Sequence, residues 1–432
     1  MNRIQGSALA AIFGAVGCSS GDDAPAPITT SPPPPPPNIA PTANAGAAQA
    51  SVERATVFLD GSASADSDGS VASFEWTQTG GPVVTITDAN TALASIVTPE
   101  VNQDTVLEFE LRAVDNDGAA GIDSVAITVS PDPVDDAEIV FFSFEGLPRA
   151  FTLYTPETFQ PGAPAYFVLH GGSQSMRRVL EPDTATRQWV DVADRDGALL
   201  IVPNGFNNTV QSGLGDNVSW NDIRVDGAGQ TSSANDAGFL LEVLDRSATL
   251  RDYDTDSVFI AGSSNGGIMT MTMLIQSPER FSAGAAFIAA LPEEDVPDPA
   301  TATPFFMLNG TEDPLILFEG GTVGEAGSPT RSVPDTVDYW TRVTGSDLST
   351  EAFSSLPNSS VADNCEITET LFADAPGGQP TFVFYEAIGG GHNIPDPDTP
   401  PFPEEAFDVI GNQCRDVQGI ELAVDFFKSL GG

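Results

Sequence analysis

The chain has 432 residues, with 61 Asp or Glu against 16 Lys or Arg and a formal net charge of -45. That length supports two or three domains, each with its own core. Such an acidic surface repels nucleic acid and anionic lipid, which excludes both as ligands recognised by charge. An apolar content of 41% excludes general disorder, so the carboxylates read as a solvated surface suited to high salt.

In chain order, Arg3 precedes the apolar run Ile4–Val16, which is too short to span a bilayer and has the form of a cleaved signal, residues 1–17. The run ends in Ala15-Val16-Gly17-Cys18-Ser19-Ser20. This resembles a bacterial lipobox, with Ala15 where Leu is usual. The resemblance implies lipid on Cys18, with Ser19 suggesting an outer membrane and the anchor as the only membrane contact. The competing reading is an ordinary secretory signal. Both place the chain outside the cytoplasm. Residues 18–40 then form a tether, in which Pro32–Pro37 favours a semi-rigid polyproline II spacer rising about 3.1 Å per residue.

Residues 41–131 alternate with period two, as in Leu107-Glu108-Phe109-Glu110-Leu111 and at Val125, Ile127 and Val129. Turn dipeptides punctuate the strands at Asp60-Gly61, Asp68-Gly69 and Asp117-Gly118. A small immunoglobulin-like sandwich is expected. The segments Leu59-Asp60-Gly61-Ser62, Asp66-Ser67-Asp68-Gly69 and Phe74-Glu75-Trp76-Thr77-Gln78 resemble the polycystic-kidney-disease-type (PKD-like) domain. Trp76 reads as core rather than a sugar platform. Asp66, Asp68, Asp115 and Asp117 are oxygen donors suited to calcium, with Asx turns as the favoured alternative.

After an acidic linker, residues 132–138, the pattern changes. From 139 to 432 apolar strands (Phe151–Tyr154, Tyr166–Leu169, Leu199–Val202, Val258–Ala261, Phe305–Leu308, Phe382–Tyr385) alternate with helices (Thr184–Arg195, Asp236–Leu250, Ile268–Ser277, Ile420–Leu430). That is the sequence form of an α/β unit, a mostly parallel sheet with flanking helices. At its centre Gly262-Ser263-Ser264-Asn265-Gly266 is a GxSxG pattern between a buried strand and a buried helix. The glycines allow the sharp turn, and the helix start directs its dipole and free N–H groups at an anion forming beside Ser264.

A serine nucleophile needs a base, and the chain offers 2 histidines. His392 lies in Gly389-Gly390-Gly391-His392, after the last strand, and is the expected base. His170 opens His170-Gly171-Gly172-Ser173 directly after a strand. There Gly172 and Ser173 present backbone N–H groups in the form of an oxyanion loop, and the imidazole orients it. Asp313, in Asn309-Gly310-Thr311-Glu312-Asp313-Pro314, is the expected acid, with Glu312 as its rival. The order Ser264, Asp313, His392 is that of α/β-hydrolases. Within the Gly/Asn-rich stretch 204–235, Trp220 and Phe206, with His170, are substrate-pocket candidates, and plain packing is the competing reading. Cys365 and Cys414 are expected to pair in an oxidising compartment.

The segments Leu169-His170-Gly171-Gly172, Gly262–Gly267, Ser277–Ala283, Asn309–Pro314 and Gly390-Gly391-His392 together resemble polyhydroxybutyrate depolymerase-type esterases, relatives of feruloyl and acetylxylan esterases. The resemblance implies a serine hydrolase of carboxylic esters with Ser264, Asp313 and His392 as triad. It also implies an oxyanion hole at Asn265 and Gly172–Ser173, and an ester polymer or oligomer as substrate. No cofactor, metal or obligate protein partner is implied. Alternatives are a feruloyl or acetylxylan esterase, and a non-catalytic surface or polymer-binding lipoprotein.

Overall fold

The computed structural model describes residues 36–431 apart from 54–55, 102, 131–133, 135–136, 225–231, 323–328, 347–350, 361–362, 375–377, 379, 400–406 and 408. The leader, Cys18 and most of the tether and linker lie outside the described residues.

The N-terminal unit holds β1 (Gln49–Val52), β2 (Thr56–Asp60), β3 (Val71–Gly80), β4 (Ile86–Thr87), β5 (Leu93–Val97), β6 (Thr105–Asp115) and β7 (Ala120–Ser130). They form a 4-stranded sheet, β1-β7-β6-β3, and a 3-stranded sheet, β2-β5-β4. Alternate residues of β6 and β7 point inward, burying Leu107, Phe109, Leu111, Ile127 and Val129 around Trp76, which is itself core. The aspartates considered for calcium serve the loop tips. Asp66 accepts from the Asp68 N–H, and Asp115 from the N–H groups of Asp117 and Ala119. Among the described residues no group of three or more His, Cys, Asp or Glu is placed to hold a metal ion.

The second unit is one 10-stranded sheet. Its strands are β8 (Glu138–Phe144), β9 (Leu147–Tyr154), β10 (Ala163–Leu169), β11 (Leu199–Pro203), β12 (Tyr253–Ser263), β13 (Ala283–Phe287), β14 (Phe305–Gly310), β15 (Ala352–Ser355), β16 (Glu366–Ala373) and β17 (Pro380–Ile388). The order is β15-β16-β17-β14-β13-β12-β10-β11-β9-β8. Strands β11, β10, β12, β13, β14 and β17 run parallel, and the antiparallel pairs lie at the two edges.

Among the described residues, the sheet is flanked by α1 (Met176–Leu180), α2 (Gln188–Asp196), α3 (Asp236–Leu250), α4 (Asn265–Gln276), α5 (Val333–Val343) and α6 (Gly419–Ser429). Successive strand residues face opposite cores. In β10, Phe167 and Leu169 join the α3, α4 and α5 side, whereas Tyr166 and Val168 join the α1, α2 and α6 side. Helix α4 is apolar all round because it is buried along nearly its whole length, from Asn265 to Ile275.

Two covalent or ionic ties hold the connecting loops. Cys365 and Cys414 are disulfide-bonded at a Cα–Cα distance of 5.4 Å, enclosing the loop that carries His392. Arg149 and Asp236, both fully buried, pair at 2.6 Å; the guanidinium lies 3.5 Å from the Phe239 ring centroid and donates to the Asn204 carbonyl. Burial lowers the Arg149 pKa from its ordinary value, and the Asp236 carboxylate opposes that shift. Removing one member leaves the other charge buried and alone, at a cost of about 3–5 kcal/mol.

Two stability outcomes follow from these ties. Replacing Cys365 and Cys414 by serine frees a crosslink with a sequence separation of 49 residues. The chain-entropy relation then gives about 4 kcal/mol of lost stability. Arg149→Ala is expected to lose at least as much as a buried-cavity variant, whereas the double change Arg149→Met with Asp236→Leu recovers part of it. Denaturant unfolding of the variants measures both.

Candidate active site

The C-terminal ends of the parallel strands gather residues in a conformation they rarely adopt. Ser173, beyond β10, has φ 58°, Ser264, after β12, has φ 54°, and Ile288, after β13, has φ 47°. Ile288 is β-branched, for which a left-handed backbone is strained, and such strain concentrates at functional sites.

Ser264 is the corner between β12 and α4. Its N–H donates to the Phe287 carbonyl at 2.9 Å, and its carbonyl starts the helix by accepting from Ile268. It is partly exposed, while Val258–Ser263 before it and Asn265–Ile275 after it are buried. A Cβ on Gly262 would overlap the Gly266 carbonyl, and one on Gly266 would overlap the carbonyls of Leu169 and His170. The elbow is therefore pressed against the end of β10 with only hydrogens between the backbones.

Asp313 and His392 meet across the loops after β14 and β17. Asp313 Oδ2 lies 2.7 Å from His392 Nδ1, with the carboxylate fully buried and the imidazole 9% exposed. The other carboxylate oxygen accepts from the N–H groups of Leu315 and Ile316 at 2.7 and 2.8 Å, which fixes the acid's rotamer. Glu312, the rival acid, takes no part in this pair; its N–H donates to the Gly390 carbonyl. The two loops can touch because Gly310 has no Cβ, which would overlap the carbonyls of Gly390 and Gly391. The His392 N–H is tied to the Ile410 carbonyl at 2.5 Å.

His170 has a different environment. It is completely buried, its Nε2 accepts from the Gly205 N–H at 3.0 Å, and its Nδ1 lies 2.7 Å from the Gly171 carbonyl. Those partners fix the tautomer with the proton on Nδ1. Burial drives the pKa down to about 4, so the ring is neutral at neutral pH. Trp220 packs on it at 4.7 Å between ring centroids and donates its indole N–H to the His170 carbonyl. His170, Trp220 and Phe206 are 0–1% exposed. They therefore do not line an open substrate pocket; plain packing accounts for Trp220 and Phe206, because the 204–222 stretch folds inward beneath the loop that follows β10.

The oxyanion donors also need a correction. The Ser173 N–H donates to Ser219 Oγ at 3.1 Å and is not turned toward a substrate. Gly172 N–H has no acceptor among the described residues, and Asn265 N–H, at the first helical position, has none within the helix. The two residues adjoin, since a Cβ on Gly172 would sit 3.3 Å from Asn265 Cβ. Sequence reasoning misses Ser219 and Asp222, which sit beside this site on irregular backbone, and Arg149 of β9, which is buried behind it. Periodicity carries no trace of such contacts.

The arrangement supplies a partly exposed serine at a helix N-terminus, a carboxylate-oriented imidazole beyond the C-terminal end of another parallel strand of the same sheet, and two N–H groups on adjoining residues. Chemically these are the parts for acyl transfer through serine.

Comparison with known proteins agrees. A PKD domain family model matches residues 45–129. Over 317 residues, 66% of the chain, the sequence is 27% identical to "Putative esterase NocK" of Nocardia uniformis subsp. tsuyamanensis, covering 80% of that protein. Over 119 residues, 27% of the chain, it is 31% identical to a Poly(3-hydroxybutyrate) depolymerase of Ralstonia pickettii, covering 23% of that protein. Over 181 residues, 40% of the chain, it is 23% identical to the Bifunctional acetylxylan esterase/xylanase XynS20E of Neocallimastix patriciarum, also covering 23% of it. Among the described residues no helix is long and apolar enough to cross a membrane. The chain therefore pairs a segment, residues 45–129, that matches a PKD domain with an α/β unit whose sequence is similar to esterases.

Proposed function

We propose that the chain hydrolyses carboxylic esters of a polymer or its oligomers through an acyl-enzyme on Ser264. The observation that carries this reading is the 2.7 Å Asp313–His392 pair on the same sheet end as a strained, partly exposed serine. Ser264 Oγ attacks the ester carbonyl and His392 accepts its proton. Asp313 holds the imidazole in the tautomer that does so and offsets its charge. The oxygen of the tetrahedral intermediate is held by the N–H groups of Asn265 and Gly172. His392 then protonates the leaving alcohol, and water repeats the sequence to release the acid. His170 is excluded as the base because both of its nitrogens are committed and it is sealed from solvent.

The depolymerase and acetylxylan esterase relatives both act on esters of polymers by their printed names, and this supports a polymeric ester here. A polyhydroxyalkanoate is the substrate we favour, because the match to the depolymerase has the higher identity of the two. We further propose the domain plan 1–17 signal, 18–40 tether, 41–131 PKD domain, 132–138 linker and 139–432 hydrolase. Lipid on Cys18 would hold the enzyme at a membrane surface outside the cytoplasm. Mass spectrometry of the N-terminal fragment from cells tests that anchor, and an unmodified Cys18 excludes it.

Ser264→Ala is expected to lower kcat on p-nitrophenyl butyrate roughly 10⁶-fold without a change in thermal unfolding. Asp313→Asn should cost about 10⁴-fold, because the amide presents a donor to Nδ1 and favours the wrong tautomer. Retained turnover in Ser264→Ala excludes the mechanism. His170 gives a pH signature. Its ordinary pKa is 6.5 and burial lowers it to about 4, so between those values the unfolded chain binds a proton that the folded chain refuses. Its contribution is fully present above 6.5 and is lost as pH falls, at up to about 1.4 kcal/mol per pH unit. Urea unfolding of wild type and His170→Gln across that range should show the steeper slope in wild type only.

A further inference from the structure

We infer that Ser219 is a positioning residue for the oxyanion hole, and that the extended segment Val218–Trp220 is the brace that sets the hole's width. The inference rests on the esterase reading above and concerns how its two N–H donors are kept in register.

The oxyanion hole has two halves with different supports. Asn265 belongs to α4 and is rigid. Gly172 belongs to a short loop whose next residue, Ser173, has the left-handed φ of 58°. Nothing in the local preference of serine holds it there, so an outside contact must. That contact is Ser219: the Ser173 N–H donates to Ser219 Oγ at 3.1 Å. Ser219 is 1% exposed, so the acceptor is held within the core although Ser173 itself is exposed.

Ser219 can serve because its own backbone is fixed on both sides. It exchanges hydrogen bonds with Phe206, N to O at 3.1 Å and O to N at 2.9 Å. The Gly205 next to Phe206 donates to His170 Nε2. One residue earlier, Val218 N–H donates to the Gln174 carbonyl at 2.9 Å. One residue later, Trp220 is clasped by the Asn265 side chain. Its N–H donates to Asn265 Oδ1 at 2.7 Å, and its carbonyl accepts from Asn265 Nδ2 at 3.1 Å. Asn265 Nδ2 also donates to Asp222 Oδ2 at 2.7 Å, and Asp222 is paired with Arg224 at 2.6 Å.

Three consecutive residues thus bond, in turn, to Gln174, to Ser173 and to Asn265. They tie the loop bearing Gly172 to the first residue of α4. A Cβ on Gly172 would lie 3.3 Å from Asn265 Cβ and 3.7 Å from Ser219 Oγ, which places the brace directly under the gap between the two donors. Loss of the Ser219 hydroxyl removes the acceptor of the Ser173 N–H and leaves a residue with left-handed φ without its anchor. The loop then relaxes, and Gly172 moves relative to Asn265. A well-placed donor stabilises the charged intermediate more than the bound ester, so the loss on misplacing it falls on kcat.

The test compares wild type, Ser219→Ala and Ser219→Thr in the full chain. Three readouts are used: kcat and KM for p-nitrophenyl butyrate, the thermal unfolding midpoint, and amide exchange of the 170–176 peptide. In Ser219→Ala kcat should fall about 10–100-fold with KM within about twofold, and exchange of that peptide should speed up. Ser219→Thr, which keeps the acceptor oxygen, should restore at least half of the lost kcat. Wild-type kcat in Ser219→Ala overturns the inference. So does a loss that Thr fails to rescue and that follows the unfolding midpoint, which would mark a merely structural role. Should Ser219→Ala not fold, Ser219→Cys takes its place, and wild-type kcat with unchanged exchange in that variant is likewise fatal. A wild type that hydrolyses no ester refutes the proposed function instead, while the exchange measurement still decides whether Ser219 restrains the loop.

Discussion

The close approach of Gly266 to the carbonyls of Leu169 and His170 is the constraint from which the site follows. Strands β12 and β10 are hydrogen-bonded neighbours, with Leu169 in register with Gly262. A helix leaving β12 at once must pass over the end of β10. It can do so only where side chains are absent on the crossing backbone, and Gly262 and Gly266 both meet that requirement. The crossing aims the start of α4 at the loop after β10. It also puts Asn265 beside Gly172 and leaves Ser264 as the one residue of the turn with access to solvent.

The different surroundings of the 2 histidines follow from the same geometry. His170 ends β10 beneath the elbow, where no carboxylate accompanies it and burial keeps the ring neutral. A neutral imidazole can both donate and accept, so it ties the Gly171 carbonyl to the Gly205 N–H. His392 instead has a buried carboxylate at 2.7 Å and an edge toward solvent. One ring is a sealed structural connector, and the other is paired with a carboxylate and keeps an edge toward solvent. The acidic surface does not decide this, because Asp313 acts as a buried neighbour at contact distance and most other carboxylates are spread over a screened exterior.

Much of this is legible in the sequence where chemistry and periodicity coincide. The GxSxG turn between apolar runs marks the β12–α4 corner, and α3 spans Asp236–Leu250, the range its apolar spacing gives. Strand β13 (Ala283–Phe287) escapes the pattern because Ala and Gly carry little strand signal, although burial on both faces makes small residues suitable there. Helix α5 lies outside the helical runs read from the sequence because Pro334 falls within it; at its first turn proline needs no N–H partner. The edge strands β8, β15 and β16 are also absent from that reading. Phe206 and Trp220 read as pocket residues for a related reason. A Gly/Asn-rich stretch has the composition of an exposed loop, and its bonds to Met176, Arg149, His170 and Asn265 turn it inward.

The strained residues show what those inward bonds accomplish. A left-handed backbone at Ser173, Ser264 and Ile288 costs of order 1–3 kcal/mol at each position, and each persists only if its surroundings overdetermine it. In all three the residue's own N–H is the anchor: Ser173 to Ser219 Oγ, Ser264 to the Phe287 carbonyl, and Ile288 to the Leu308 carbonyl. Two of those acceptors are main-chain groups of β13 and β14, which the pairing of the 10-stranded sheet holds in place. The third is a single hydroxyl on irregular backbone. The sheet therefore secures Ser264 by its hydrogen-bond ladder, whereas the loop facing it depends on a side chain. Of the two sides of the Gly172–Asn265 approach, the loop is the one whose geometry a single substitution can loosen without disturbing the fold.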